Sequence, residues 1–247
     1  LFYYQLGWRQ IMDEGNYGPA EVSYRRALQF DPKFQLGKSV LARLTPNLEE
    51  RLRLFEEIQQ EKITITGDER LILDVYIGLT HFTNVREEHP ELVSSILDSV
   101  LKLAENNLRV IIHKYPEKVY LKSEYLEILH AIYGPKKAID SLHTLVTENQ
   151  KNNWFINGYL AGMYAELEQY DKALQVAQKL EQSINNVQIP KAQVVYADIY
   201  YKKQEYLLAK KYADQAVLLD SKNIDATRLK TRIDQEIQAQ KDSIVLE

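Results

Sequence analysis

The sequence predicts an all-α protein, and three observations carry that prediction. Every proline falls where a helix begins or ends: Pro19, Pro32, Pro46, Pro90, Pro116, Pro135 and Pro190 all avoid apolar stretches of helical period. No segment alternates apolar and polar residues for the length of a strand. The nearest, KITIT at residues 62–66, is short and alone, and is expected to link two helices. Finally, a stripe of small and aromatic residues at three- and four-residue steps returns along the chain, which is the mark of stacked helical hairpins.

The opening stretch, GNYGPAEVSYRRALQFDP at residues 15–32, shows the stripe. Tyr17, Ala20, Tyr24, Ala27 and Leu28 share one helical face. Gly15 and Asn16 signal a turn, Pro19 sits in the first helical turn where its missing N–H costs nothing, and Pro32 ends the element. Alanines at fixed positions let a neighbouring backbone come close, and tyrosines fill the space beside them.

Helices are then expected from Asn47 (NLEERLRLFEEIQQ), near Asp68 (GDERLILDVYIGLTHF) and from Pro90 toward Tyr115, the last with Asn106-Asn107 as a place to bend. A weaker copy of the stripe covers residues 117–150, where Ala138 precedes Ala173 by 35 residues. The pattern is clearest at residues 151–221: Tyr170 and Tyr206, Ala173 and Ala209, Ala161 and Ala197, and Tyr164 and Tyr200 are each 36 residues apart. A polar helix follows from Asn223. The total is about thirteen helices, in about six hairpins plus a capping helix.

These residues resemble the tetratricopeptide repeat (TPR), an antiparallel helix pair of about 34 residues. The opening unit matches at Ala20, Tyr24, Ala27 and Pro32 but has Gly7 and Trp8 where the family carries a leucine and a small residue. The unit from Asn153 matches at Leu160, Ala161, Tyr164 and Ala173 and departs at Leu180. The next matches at Ala197, Tyr200, Ala209 and Ala216 and has Ser221 in place of proline. The resemblance implies one α-α solenoid, a right-handed superhelix, over residues 1–247: a hairpin at 1–33, irregular hairpins at 34–116, a degenerate repeat at 117–150, two clear repeats at 151–221, and a capping helix and tail at 222–247.

Composition narrows the function classes. Net charge is −4 and the pI about 5.8, which argues against a nucleic-acid partner. Lys202-Lys203 with Lys210-Lys211 is the most basic stretch. Charge runs such as Glu49-Glu50-Arg51 and Arg86-Glu87-Glu88 read as solvated faces. There is no cysteine, so disulfides and thiolate sites are excluded. No apolar run has the length to span a bilayer. The first residue is Leu, so a fragment or a processed form is expected. Either the cytoplasm or, after removal of a signal peptide, the periplasm is compatible. The five histidines form no zinc-protease spacing, and neither a phosphate loop nor a nucleophile elbow is present. Asp140 and His143, one turn apart, read as an exposed polar pair. No catalytic residue, cofactor or metal is assigned.

What remains is protein binding. The resemblance implies a concave groove lined by first helices, and its inner positions map to Phe155, Gly158, Gly162 and Ala165, then Val194, Asp198, Tyr201 and Lys202, with Arg228 and Arg232 on the last helix. Gly158 and Gly162 read either as a smooth floor for a partner's backbone or as sites of tight helix packing. The family's lysine/asparagine clamp for C-terminal carboxylates is not recognisable. Two other roles stay open: a regulatory or sensor segment of a larger protein, and a structural role, either self-association through a terminal face near Phe2, Tyr3 and Trp8 or assembly in the cell envelope.

Overall fold

The structure is a computed structural model that describes residues 1–245; the tail at 246–247 lies outside the described residues. It holds twelve α-helices and no strand among those residues. The chain divides into two compact units, Leu1–Gly7 with Glu21–Val146, and Trp8–Ala20 with the chain from Thr147 onward. All seven prolines lie at helix starts, ends or breaks. KITIT forms a 3-10 turn, Lys62–Thr64, and an extended residue between helices.

Helices α1 (Phe2–Arg9) and α2 (Tyr17–Phe30) form the first hairpin. Within the first unit, the face of Gly7 is covered by Tyr24: a Cβ there would lie 2.6–2.9 Å from three ring carbons. Glycine therefore stands at this position because the fully buried Tyr24 ring fills the volume a side chain would take. Tyr4 meets Tyr24 and Phe34 edge-on, at 5.9 and 4.9 Å between ring centroids.

The unit continues through α3 (Gln35–Leu44), α4 (Leu48–Glu61), α5 (Gly67–Glu88), α6 (Val93–Lys114) and α7 (Val119–Leu145). Each packs on its chain neighbour, and α3 also packs on α5. Asn47 caps α4, its side chain accepting the Glu50 N–H at 2.9 Å. The predicted helix toward Tyr115 runs as one element, α6, after a 3-10 turn at Pro90–Leu92. Asn107 on α6 donates to the Leu71 carbonyl at 3.0 Å. Within α7 two helical segments meet at Gly134, whose backbone is non-helical (φ 79°, ψ 175°) just before Pro135.

The two charge runs are not simply solvated faces. Arg51 is 4% exposed; it donates to Asn84 Oδ1 at 2.8 Å and pairs with Glu87. Glu50 takes two hydrogen bonds from Arg25. Long side chains reach partners on other helices, which local sequence does not display.

In the second unit, α8 (Trp154–Glu166) pairs with α9 (Tyr170–Ser183), α10 (Lys191–Lys202) pairs with α11 (Tyr206–Leu219), and α12 (Ile224–Val245) follows. The two hairpins repeat in detail. Their turns place Glu168 and Gln204, 36 positions apart, at φ 58° and 62°. The Gln169 N–H then bonds the Tyr164 carbonyl, as the Glu205 N–H bonds that of Tyr200. Ala161, Ala173 and Ala177 build one core with Leu180, Tyr196 and Ile199. Ala197, Ala209 and Ala213 build the next with Leu229 and Ile233. The small residues bring helices close, and each large side chain buried beside them contributes roughly 1.5–3 kcal/mol. No described helix is long and apolar enough to cross a membrane.

Candidate protein-binding face

The first helices of the second unit, α8, α10 and α12, form a row. Their starting ends hold a segment of the same unit, Trp8–Ala20. In that segment, α1 continues as a π-helical turn, Gln10–Glu14, that packs on α8 and stops at Gly15 in the left-handed conformation (φ 70°).

Two asparagines grip the segment in the same way. Asn153 caps α8 by accepting the Ile156 N–H at 3.0 Å, and its amide donates to Asp13 Oδ1 at 2.7 Å. Asn223 accepts the Ala226 N–H at 2.8 Å at the start of α12, and its amide donates to the Gly15 carbonyl at 2.7 Å. Between them Lys191, opening α10, donates to the Met12 carbonyl at 2.8 Å while its ammonium lies 4.7 Å from the centre of the Phe155 ring.

Two carboxylates complete the arrangement at helix N-termini, where unpaired N–H groups favour negative charge. Asp13 accepts the Phe155 N–H. Asp220 accepts the N–H groups of Tyr17 and Gly18, the first turn of α2, and that of Lys222. The Tyr17 hydroxyl donates to Asp225 at 2.6 Å.

Helical spacing then orders the sequence-predicted positions. On α10, Lys191, Val194, Asp198 and Lys202 share a stripe. On α12, Asp225, Arg228 and Arg232 share another. Both stripes begin where the chain's own segment docks and continue beyond it. Asp198 pairs with Lys202 at 2.7 Å, and Tyr201 packs against the Leu229–Ile233 cluster. Arg228 and Arg232 are exposed.

On α8 the stripe is covered instead. Phe155 and Ala165 are buried. A Cβ on Gly158 would stand 3.0 Å from Val195 and 3.1 Å from Lys191, and one on Gly162 would stand 3.0 Å from Asp198. Lys202 also donates to the Gly162 carbonyl at 3.0 Å. The space over both glycines belongs to α10, so they serve close helix packing and offer no bare floor.

The basic stretch is largely neutralised. Lys202 pairs with Asp198, Lys203 with Glu205, and Lys210 with Asp234. The hydrogen bond from Lys210 holds the Asp234 carboxyl below its usual range. Behind the row, Tyr196, Tyr200 and Tyr212 stack, with Tyr212 centred 5.0 and 5.6 Å from its two partners. Burial, followed by the hydrogen bond to Glu181, pushes the Tyr196 phenol well above its ordinary value.

Sequence reasoning missed Asn153, Lys191, Asp220 and Asn223 as gripping residues. Asn153 and Asn223 carried a signal, since each stands where an N-cap is expected; their second bonds reach a segment remote in sequence. No protein-family model matches the chain, and no curated protein matches it.

Proposed function

We propose that the chain is a non-enzymatic scaffold of TPR-like helical hairpins, wound as a right-handed superhelix, that binds a segment of another protein. One observation carries the reading. The starts of α8, α10 and α12 already hold a non-repetitive stretch of backbone through Lys191, Asn153, Asn223 and Asp220, which is the chemistry that a peptide-binding surface uses. The partner segment lies along the uncovered continuation of the same stripes, over Asp198, Tyr201, Lys202, Arg228 and Arg232. Two exposed guanidiniums there favour an acidic segment, and tyrosine and arginine supply the side chains that dominate binding hot spots.

Affinity capture with the immobilised protein, compared with an Arg228→Glu/Arg232→Glu form, tests the reading. Both positions are exposed, so helicity by circular dichroism is expected to be unchanged. A protein retained by the native form and lost by the variant, then reproduced with its purified acidic segment, supports the proposal. Identical captured sets refute this face.

A second reading, self-association through the first hairpin, is favoured by its outer aromatics: Phe2 is 70% and Phe30 78% exposed, and Tyr3 stacks on Phe30. Trp8 is not part of that surface, being buried at 7%. Sedimentation of the native and Phe30→Glu forms decides it: an oligomer that the substitution disperses supports this reading, and a native monomer removes it.

A further inference from the structure

The first unit contains a cavity of about 260 Å³ between α5, α6 and α7. Leu79 and Phe82 of α5 and Leu97 and Leu101 of α6 wall it with hydrocarbon. Leu108 and Ile128, both buried, close it on one side, and the exposed Ala131 of α7 marks where it opens to solvent. An apolar cavity of about 150 Å³ is large enough to take benzene, so this one takes a ring with a short chain attached. The opening lets such a molecule enter without unfolding a helix.

The charged groups at one end are engaged with the protein itself. Arg43 of α3 meets Glu124 of α7 there, with Nη1 2.7 Å from Oε1. The other oxygen of Glu124 accepts the Tyr76 hydroxyl at 2.8 Å, and the guanidinium lies over the Tyr76 ring, 5.0 Å from its centre. Glu127, one helical turn further along α7, lines the same end and interacts electrostatically with the same guanidinium. Each of these charges thus has a partner inside the protein, and an entering molecule meets chiefly hydrocarbon. Bringing an ionised group against such walls strips it of water, and no unpaired charge waits there to offset that cost.

We infer that this cavity is a binding site for a small uncharged apolar molecule, a single aromatic ring carrying a short alkyl chain, which lies among Leu79, Phe82 and Leu101 and makes no ion pair. Volume selects a molecule slightly larger than benzene, and the hydrocarbon walls select against cations and anions of the same size. This site is independent of the proposed protein-binding face, which lies in the second unit.

Methyl NMR of the whole protein, titrated separately with ethylbenzene, benzylammonium and benzoate, tests it. Ethylbenzene is expected to shift the methyl signals of Leu79, Leu101 and Ile128, with a Kd of about 1 mM or below. It is expected to bind at least about tenfold more tightly than either charged probe. Ala131→Phe places a ring in the opening from an exposed position, and is expected to weaken ethylbenzene about tenfold or more while helicity by circular dichroism is unchanged. No methyl shifts with ethylbenzene, a charged probe that binds as tightly, or ethylbenzene affinity unchanged in a folded Ala131→Phe protein would each overturn the assignment. The comparison of the three probes on the native protein needs no variant to fold.

Discussion

Arg25 grips Glu50 with two parallel hydrogen bonds, Nη1 to Oε1 at 2.7 Å and Nη2 to Oε2 at 2.8 Å, across the gap between α2 and α4. Thr45 adds a hydroxyl donor to the same carboxylate at 2.7 Å. The hydrogen bond from Arg25, aided by Thr45 and opposed by partial burial, lowers the Glu50 carboxyl from 4.5 to about 2. A depressed carboxyl stabilises the fold above its unfolded value and loses that contribution as pH falls toward the folded one.

Glu50→Gln is therefore expected to cost about 1 kcal/mol near neutrality, a modest figure because solvent screens the 41%-exposed Arg25 side chain. The difference shrinks as pH falls below about 4.5 and nearly vanishes toward pH 2. Urea denaturation of both proteins across that range checks this; a gap independent of pH would refute the linkage.

Gly7 and Tyr24 make a second prediction. Alanine at Gly7 brings a methyl group within 2.6 Å of the fully buried Tyr24 ring. Overpacking costs about 1–3 kcal/mol and outweighs the roughly 1 kcal/mol that alanine gains over glycine in a helix. Gly7→Ala is expected to lower the melting temperature. The Tyr24 hydroxyl is buried without a hydrogen-bond partner. Tyr24→Phe should therefore be neutral or stabilising by up to about 1 kcal/mol. A large loss of stability in Tyr24→Phe would mean that the hydroxyl is satisfied in solution.

Glu124 is 3% exposed and holds Arg43 and Tyr76 together. Removing one partner of a buried pair leaves the other charge uncompensated, which costs about 3–5 kcal/mol when both are fully enclosed. The Arg43 side chain retains 28% exposure, so Glu124→Gln is expected to cost nearer 2–3 kcal/mol. Replacing both with Arg43→Met/Glu124→Met should restore most of the loss. Denaturant midpoints of the single and double variants read this directly; a double variant no more stable than the single would show that the pair is needed for more than charge balance.

The parts of this fold legible in the sequence are those written locally. Ala173 and Ala209, with Ala177 and Ala213, declare the hairpins because identical spacing recurs in neighbouring units. Asn47 declares a helix start three residues before the amide it accepts. The left-handed turns at Glu168 and Gln204 carry no glycine, and so no local sign of their backbone. Gly158 shows that a side chain is missing but not that Val195 and Lys191 fill the space. Arg51 looks solvated because Asn84 and Glu87, which bury it, lie on another helix. The gripping contacts were least legible, since Asp13 meets Asn153 across 140 residues and Tyr17 meets Asp220 across 203.

Asp220 supplies the most direct test of that grip. It is 8% exposed, and one of its carboxylate oxygens accepts both the Tyr17 and the Gly18 N–H. Those amides open α2, where no intrahelical acceptor exists for them. Asp220→Ala leaves them unpaired and removes a negative charge from a helix N-terminus, for an expected loss of about 1–3 kcal/mol. The effect should be local first. Hydrogen exchange at Tyr17 and Gly18 is expected to accelerate in the variant, while amides in the middle of α11 keep their protection. Asn223→Ala, which removes the bond to the Gly15 carbonyl, should speed exchange in the same segment. Uniform acceleration throughout the second unit would mean that the segment is inseparable from the core of that unit. Selective acceleration at residues 12–18 would show a docked segment held by Asp220 and Asn223.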